Sequence, residues 1–523
     1  MKNISFSHIR LDFRFVRATQ AAGLLALLAA ALLTVGCANP TAISRETTFQ
    51  PNEGAVVMRM INISSAQNLQ IQVTAEGSKE KFFLSATAFG QTGSTTFVGR
   101  LPSGRYQPSM LYGMQVLSRI EAPLEKLTGK FDVEASRVTD LGTMVYLPDA
   151  SSVDEGTNSR QTKFLFSLPL DPTPVPTEQL LAVRFPAIAA AVKGRSNLGW
   201  VEGTVPRQPT GVLNMAARRA SMKGTPVFLG KGQSVAAGQL GTVVERGPEP
   251  RSWKFVRTGV VQQLEAILRL KDGRWMVGGE EGYLAMADSL QGQWSRLPGL
   301  AQNEVVVSLL QGPDGSIYML TMNDAGSTVY QSAPDTINWK VIRRIEGDRS
   351  KSIWRFDRAR NSAAMSKDRL VIYTLPNTIS SMDFRTGQWE SHETPRPFAT
   401  DIKVTPDGRI SGVFSAPYTY GSDDHGKTWR RQEFWLTASQ GDFSDRNKGI
   451  MISATGGVLA SKFFVRKTID GGQSWSAVHE VKDALGWTDV PIWIDRLDES
   501  GKSLYAMVYG RVYNSADMGV TWN

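Results

Sequence analysis

Cysteine and histidine are the residues that this chain lacks most clearly. Cys37 is the single cysteine among 523 residues, so an internal disulfide cannot form. The four histidines are scattered, and no cysteine–histidine spacing typical of a zinc site occurs. Phosphate-binding loops, dinucleotide fingerprints and nucleophile elbows are also missing from the sequence. We therefore expect no catalytic residue, no metal site and no cofactor.

The chain also lacks a strong excess of charge. Its formal net charge is +9 at pH 7. Residues 1–36 hold four basic residues and one acidic residue, which leaves +6 for the remainder. No dense block of lysine and arginine follows, although such blocks are typical of nucleic-acid-binding proteins. The composition therefore predicts no nucleic-acid partner, and its 41% hydrophobic share suffices for two or more cored domains.

The N-terminus has the order of features typical of an export signal. A basic stretch precedes the apolar segment 21–35, which is too short for a comfortable transmembrane helix. The segment ends in Leu33-Thr-Val-Gly36-Cys37, which resembles a bacterial lipobox. The resemblance implies lipid on Cys37 and, because Ala38 follows, an outer-membrane lipoprotein on the periplasmic side or at the cell surface. The alternative is an ordinary signal peptide followed by an incidental cysteine.

Three stretches near the C-terminus share the pattern Ser/Thr-x-Asp-x-Gly-x-Ser/Thr-Trp. We name these segments, residues 422–429, 468–475 and 515–522, the box turns. The aspartate can accept backbone N–H bonds, the glycine can adopt a positive φ, and the tryptophan can start the next strand and pack between sheets. The pattern resembles the Asp box, or BNR repeat, of sialidase-like β-propellers, which implies a fold but no chemistry. The residues that carry it are Ser422, Asp424, Gly426, Trp429, Thr468, Asp470, Gly472, Trp475, Ser515, Asp517, Gly519 and Trp522.

Tryptophans extend this series upstream at intervals of 40 to 50 residues. Each interval has the length of a four-stranded blade, so we predict an all-β chain with a seven-bladed β-propeller over residues 216–523. Six blades is the alternative if the first, least regular unit is misread. Because the sequence stops one residue after Trp522, we expect residues 199–205 to supply the outermost strand of the last blade. The series is Trp253, Trp294, Trp339, Trp389, Trp429, Trp475 and Trp522.

The region before the propeller alternates between apolar and polar side chains, with turns about every 8–12 residues, which favours a small β-sandwich. The segments Leu101-Pro-Ser-Gly104-Arg-Tyr106 and 131–142 resemble turns and closing strands of transthyretin-like and carboxypeptidase-regulatory-like sandwiches. Such modules are usually spacers or partner-binding units. A helix is predicted to start at Thr177 and to be interrupted at Pro186. The predicted units are a signal peptide (1–36), a tether (37–50), the β-sandwich (51–150), a Pro-rich and helical linker (151–215) and the propeller (216–523).

Two functions remain open for a propeller of this kind. A sialidase would clamp the carboxylate of its substrate with arginines, because a guanidinium forms bidentate bonds to it. The segment Val183-Arg184-Phe185-Pro186 partly matches the first arginine motif of that family, but no paired downstream pattern follows. A sialidase-like glycoside hydrolase acting on acidic sugars is therefore the alternative prediction.

The preferred prediction is a non-enzymatic binding scaffold. Residues 442–475 resemble repeats of the photosystem II assembly-factor type of BNR propeller, which implies an envelope- or lumen-side protein that holds partner proteins. We predict an envelope lipoprotein whose propeller binds a protein or glycan, with membrane contact through the N-terminal lipid. Aromatic residues outside the box positions are the candidate contacts, although packing between blades is the usual role of such side chains. They are Tyr418, Tyr420, Trp435, Trp487 and Trp493.

Overall fold

The computed structural model of this chain describes most of the sequence after residue 40. The described residues are 41–44, 46–63, 67–87, 93–115, 118–149, 163–170, 177–182, 185–191, 199–206, 211–230, 233–247, 253–300, 303–323, 326–335, 337–346, 361–397, 401–413, 419–432, 442–455, 462–480, 496–497, 504–508, 511–515 and 517. Cys37 and the predicted signal peptide lie outside them.

The first part of the described chain forms a nine-stranded sheet, which we name the N-terminal sheet. Its order is β6-β5-β2-β3-β4-β1-β8-β9, with β7 paired to β5 and with β1 and β8 parallel. Strands β1 to β8 all contribute to one core, and the sheet continues to β9, past the predicted boundary at residue 150. The strands are β1 (Glu53–Asn62), β2 (Gln67–Ala75), β3 (Lys81–Thr87), β4 (Ser94–Pro102), β5 (Gly104–Gln115), β6 (Ser118–Pro123), β7 (Phe131–Val133), β8 (Val138–Asp149) and β9 (Lys163–Leu170).

Successive side chains of β1 point to opposite faces of the sheet, and both faces are buried. Val56, Met58 and Met60 face the main core. The other face is covered by two short helices, α1 (Thr177–Ala182) and α2 (Pro186–Ala189). The proline stands in the first turn of α2, where its missing N–H breaks no helical bond. The cluster on this face comprises Ala55, Val57, Val98, Val138, Leu181, Phe185, Ile188 and Ala189.

Six four-stranded antiparallel sheets and then a three-stranded sheet, all in the described residues, follow α3 (Val212–Arg219). Blade 1 consists of β10 (Met222–Gly230), β11 (Gln233–Gly238), β12 (Thr242–Arg246) and β13 (Trp253–Arg257). Blade 2 consists of β14 (Leu264–Arg269), β15 (Trp275–Gly279), β16 (Leu284–Ala287) and β17 (Ser295–Arg296). Blade 3 consists of β18 (Val305–Gln311), β19 (Ile317–Asn323), β20 (Gly326–Ser332) and β21 (Lys340–Glu346).

Blade 4 consists of β22 (Ser362–Met365), β23 (Arg369–Thr374), β24 (Thr378–Asp383) and β25 (Trp389–Glu393). Blade 5 consists of β26 (Lys403–Val404), β27 (Ile410–Val413), β28 (Thr419–Ser422) and β29 (Arg430–Gln432). Blade 6 consists of β30 (Asp442–Phe443), β31 (Gly449–Thr455), β32 (Lys462–Thr468) and β33 (Ser476–Glu480). The three-stranded sheet is β34 (Arg496–Leu497), β35 (Leu504–Val508) and β36 (Arg511–Ser515). The prediction of an all-β chain with a β-propeller is confirmed: the described residues contain six four-stranded blades and a three-stranded sheet after them.

Each described tryptophan of the repeat series stands at or just before the fourth strand of its blade, as the sequence predicts. The half-buried rings of four of them lie in apolar clusters that combine residues of their own blade and the preceding blade. These four are Trp294, Trp339, Trp389 and Trp429. The tryptophan therefore joins consecutive blades, because its large ring fills the space between two radial sheets.

Residues 199–205 do not complete the last blade. Trp200 forms an antiparallel bridge with Phe131 of β7, and the two rings meet edge to face at 6.2 Å. The N–H of Val201 donates to the carbonyl of Lys130 at 2.8 Å, and the indole N–H of Trp200 donates to the carbonyl of Leu141 at 2.9 Å. This segment thus belongs to the N-terminal sheet, and the prediction of a closing strand here is wrong.

The N-terminal sheet docks on blades 1 and 2 through the turns between their second and third strands. Both turns are single 3₁₀ turns, Gln239–Gly241 and Glu280–Gly282. In blade 1, Leu240 has a φ of 56° and packs in a cluster with Ile61 of the sheet. The side-chain amide of Gln239 donates to the carbonyl of Asn62 at 2.8 Å. Apolar packing and a hydrogen bond therefore fix the sheet to the first blade.

Two buried glutamates make the contact with blade 2. The carboxylate of Glu280, only 1% exposed, accepts bonds from the N–H of Gly93 (2.7 Å), the N–H and hydroxyl of Ser94 (3.1 and 3.0 Å) and the N–H of Gln263 (3.2 Å). The neighbouring carboxylate of Glu281 lies 3.5 Å from the guanidinium of Arg59 on β1, and both side chains are buried. A buried carboxylate is stable only when it is paired and hydrogen-bonded. Because the partners of both glutamates include residues of the N-terminal sheet, a shift of the sheet would leave these charges unsatisfied, and the turns therefore fix its position.

The Glu280→Gln variant is expected to lower the free energy of unfolding by about 1–3 kcal/mol, because a buried donor loses its acceptor. The Glu245→Gln variant is the control, since that side chain sits near the surface beside Lys254 and Gln291. Its effect should stay within about 0.5 kcal/mol. Chemical denaturation measures both. Equal effects of the two substitutions would show that Glu280 does not hold the sheet to the propeller.

Candidate interaction face on blades 5 and 6

The box turn of blade 5 is closed by its own side chains. The hydroxyl of Ser422 donates to Asp424 at 2.9 Å and accepts the N–H of Gly426 at 2.8 Å. The carboxylate of Asp424 also accepts the N–H (2.9 Å) and the hydroxyl (2.5 Å) of Thr428. The indole N–H of Trp429 donates to the carbonyl of Gly426 at 3.0 Å. The carboxylate thus bonds four residues ahead and shapes the turn.

The box turn of blade 6 repeats these bonds one for one. Thr468 donates to Asp470 at 2.7 Å and accepts the N–H of Gly472 at 2.9 Å. Asp470 accepts the N–H and hydroxyl of Ser474 at 2.9 and 2.5 Å, and the indole of Trp475 donates to Gly472. The hydroxyl bond from Ser474 holds the pKa of the Asp470 carboxyl well below its usual range. Repetition of the whole network explains why the pattern recurs in the sequence.

Burial raises the pKa of the Asp424 carboxyl, but the bonds from Thr428 and Ser422 outweigh burial and leave the pKa lowered. In the third box turn, the hydroxyl of Ser515 donates to Asp517 at 2.8 Å. Gly519 and Trp522 of that turn lie outside the described residues.

Of the aromatic residues predicted as contacts, only Tyr420 lies in the described part of the chain. Tyr420 is partly buried and packs against the apolar cluster between blades 4 and 5. Arg184, the residue on which the sialidase alternative depends, lies outside the described residues. The predicted contacts that also lie outside them are Tyr418, Trp435, Trp487 and Trp493.

Arg409, which sequence reasoning did not single out, ties blades 5 and 6 together. Its buried guanidinium donates to the carboxylate of Asp423 at 3.1 Å, to the carbonyl of Arg446 at 3.1 Å and to the carbonyl of Gly471 at 2.7 Å. It also lies over the ring of Phe443 at 4.4 Å from the centroid. One planar group therefore contacts the box turns of two blades and a turn between the first two strands of blade 6.

A sequence signal for this contact exists. Arg409 ends an Asp-Gly-Arg turn between the first and second strands of its blade, and blade 2 has the same three residues at 272–274. There the guanidinium of Arg274 donates to the carbonyl of Pro334 in the following blade, at 3.2 Å. The repeated turn thus places an arginine where it can reach across to the next blade.

Further bonds fix the same end of blade 6. The N–H and guanidinium of Arg446 donate to Asp407 at 3.0 and 2.9 Å, and the N–H of Gly471 donates to the carbonyl of Asn447 at 2.9 Å. Gly471 has a φ of +72°, and a Cβ there would lie 3.0 Å from the carbonyl oxygen of Arg446 and 3.1 Å from a guanidinium nitrogen of Arg409. Only glycine fits this close approach without displacing the arginine.

The four turns held by Arg409 form what we name the box face: residues 405–409 and 422–429 of blade 5, and 444–448 and 468–475 of blade 6. In an antiparallel four-stranded blade, the turn between strands one and two and the turn between strands three and four lie at the same end. The turn between strands two and three lies at the opposite end, which is the end that the N-terminal sheet covers on blades 1 and 2. The box face therefore points away from the N-terminal sheet.

The box face presents one prominent apolar side chain among charged ones. Ile469 is 71% exposed, the highest value among the large apolar side chains of the described residues. The same turns carry exposed Lys427, Arg446 and Lys448, with Asp445 beside them. An apolar side chain on a fixed turn with charged neighbours suits contact with a protein surface.

Among the described residues, no group of three or more His, Cys, Asp or Glu side chains is close enough to hold a metal ion. None of the described helices has the length and apolar character needed to span a membrane.

No protein-family model matches the chain, and no curated protein matches it significantly. Solved structures that it resembles include YCF48 bound to a D1 peptide, 15% identical with a TM-score of 0.41 over 56% of this chain and 93% of that one. A PL25 polysaccharide lyase, ulvan lyase, is 10% identical with a TM-score of 0.37 over 57% and 94%. The β-propeller domain of Cps50 (Swd1) from Myceliophteria thermophila is 11% identical with a TM-score of 0.39 over 57% and 97%. Likeness at this level concerns the fold and assigns no ligand, partner or activity.

The Gly426→Ala variant is expected to destabilise the protein more than Gly387→Ala does. Both glycines have a positive φ, of +91° and +70°, which costs an alanine about 1–2 kcal/mol. At Gly426 the added Cβ also lies 3.1 Å from a methyl carbon of Ile379 on blade 4, whereas at Gly387 nothing lies within 4 Å. Thermal unfolding of the two variants measures the difference. Equal losses would show that the box turn does not pack tightly on the preceding blade.

Proposed function

We propose that this protein is a non-enzymatic binding scaffold whose box face holds a protein partner, with Ile469 at the centre of the contact. The observation that carries the proposal is the 71% exposure of Ile469 on a turn that Arg409 and Asn447 hold in place. Exposure of an isoleucine side chain to water is unfavourable, so its burial by a partner makes a favourable contribution to the free energy of binding. Because its turn is already ordered, binding loses little conformational entropy there.

The charged side chains around Ile469 set the chemistry of the partner. The four turns of the box face carry four basic residues, among them Lys427, Arg446 and Lys448, and five aspartates, among them Asp407 and Asp445. Charges at the rim of an interface contribute mainly to specificity and association rate, while the apolar centre contributes most of the affinity. A partner surface with an apolar pocket bordered by charged groups of both signs is the complementary one.

We also propose a cellular location for the box face. We infer that Cys37 is lipidated and anchors the chain to the outer membrane, on the periplasmic side or at the cell surface. The N-terminal sheet, inferred to be a β-sandwich module, serves as the spacer between the anchor and the propeller. Its docking at the end of blades 1 and 2 opposite the box turns leaves the box face directed away from the sheet.

The test compares two exposed apolar side chains of blade 6. Ile469 lies on the box face, whereas Val478, 44% exposed, lies on the outermost strand. The Ile469→Asp variant should weaken retention of a partner from solubilised envelopes at least tenfold, because a central contact contributes about 2 kcal/mol or more and about 1.4 kcal/mol is tenfold. Val478→Asp introduces the same charge and should change retention by less than about twofold.

A photo-crosslinker placed at 469 or at 478 gives a second measurement on the same pair of sites. The proposal expects a discrete crosslinked protein at 469 that is missing at 478. Loss of retention in both aspartate variants, or in neither, would remove the box face as the binding surface. Turnover of a sialoside by the purified chain would contradict the non-enzymatic part of the proposal.

A further inference from the structure

The outermost strands of blades 1 to 3 are strongly basic. These strands are β13, β17 and β21, which belong to three consecutive blades. Glu346 is their single acidic residue. Their basic residues are Lys254, Arg257, Arg296, Lys340, Arg343 and Arg344. We name these three strands the basic side of the propeller.

Three of these six cations are not neutralised by the rest of the described chain. Arg296, Lys340 and Arg344 are exposed and have no carboxylate within salt-bridge distance among the described residues. Lys254 has only a long pairing of 3.7 Å with Glu245. Arg343 differs, because it lies over the ring of Trp389 at 4.7 Å and belongs to the packing between blades.

Protection of a sheet edge does not account for this pattern. Charged side chains on edge strands prevent unwanted strand pairing, and either sign of charge serves that purpose. The outermost strands of blades 4 and 6 use acidic residues, Glu390, Glu393 and Glu480, whereas that of blade 5 carries Arg430 and Arg431. The positive sign on three consecutive blades therefore points to a negatively charged partner.

Apolar side chains stand between the cations. Phe255 on β13 is 43% exposed, and Val341 on β21 is 37% exposed. A soluble polyanion would use the positive charges but would gain nothing from these two side chains. A bilayer interface uses both, because headgroup phosphates attract the cations and the acyl boundary accepts apolar side chains.

We propose that the basic side docks on the surface of a bilayer that contains anionic phospholipid. Each lysine or arginine near such a surface changes binding by about fivefold, since about 1 kcal/mol per residue is gained there. Phe255 and Val341 add apolar contact at the same strands. The docking surface lies on blades 1 to 3 and is separate from the box face of blades 5 and 6, so either proposal can fail alone.

The test measures binding of the full chain to phosphatidylcholine vesicles with and without phosphatidylglycerol. Every sample carries Cys37→Ser, so that no lipid on this residue contributes. The triple variant Arg296→Gln/Lys340→Gln/Arg344→Gln removes three of the unpaired charges. At about 0.1 M salt, where screening acts beyond about 10 Å, its partition onto anionic vesicles should fall on the order of 100-fold.

Two matched variants serve as controls. Arg385→Gln/Arg430→Gln/Lys467→Gln removes the same charge from exposed positions on blades 4 to 6 and should lower partition by no more than about fivefold, the effect of one residue at the surface. Arg296→Lys/Lys340→Arg/Arg344→Lys keeps the charge and should bind like the parent, which separates charge from any folding defect.

Three outcomes would overturn the proposal. The first is an equal loss in both neutralised variants, and the second is equal binding of the parent to vesicles with and without phosphatidylglycerol. The third is binding of the basic side to soluble dextran sulfate without binding to vesicles, which would assign the surface to a polyanion instead.

Discussion

The contact between consecutive blades is the constraint on which the structure depends. A blade is a four-stranded sheet that cannot bury both faces by itself, so each must pack on its neighbours. A tryptophan at the start of the fourth strand fills the gap in every pair of blades for which the described residues define the shared cluster. In blades 5 and 6 the guanidinium of Arg409 adds polar bonds to this packing at the box end.

The two ends of the propeller differ in how their charged and apolar side chains are arranged. At the end covered by the N-terminal sheet, Glu280 and Glu281 are buried, and their charges are satisfied by N–H groups, a hydroxyl, an amide and Arg59. At the box end the charged groups are used within turns and between turns, and the apolar side chain of Ile469 is left in solvent. The first arrangement fixes one part of the chain to another, and the second leaves an apolar side chain exposed on an ordered turn.

The repeat could be predicted from the sequence because its determinants are local. Within eight residues, Ser422, Asp424 and Gly426 form a network that needs no distant partner, so its pattern appears directly in the sequence. The fourth strands could be placed for the same reason, since each tryptophan marks one.

Non-local contacts were not predictable in this way. Residues 199–205 were predicted to close the last blade, but whether Trp200 meets that blade or Phe131 depends on packing between segments far apart in sequence. Arg409 was missed because a single arginine resembles a solvated surface residue until its acceptors in the next blade are seen. For Tyr420, a candidate contact that could also pack between blades, the sequence did not decide between the two roles, and the structure packs it against the cluster between blades 4 and 5.

Hydrogen exchange of the Arg409→Lys variant tests most directly whether contacts between blades hold the box face in one arrangement. Lysine keeps the charge but lacks the planar fork that reaches Asp423, Arg446 and Gly471 together. The account predicts faster amide exchange in both turns of blade 6, residues 444–448 and 468–475, with blades 1 to 3 unchanged. Faster exchange confined to the residues beside 409, with both turns of blade 6 as protected as in the parent, would contradict it.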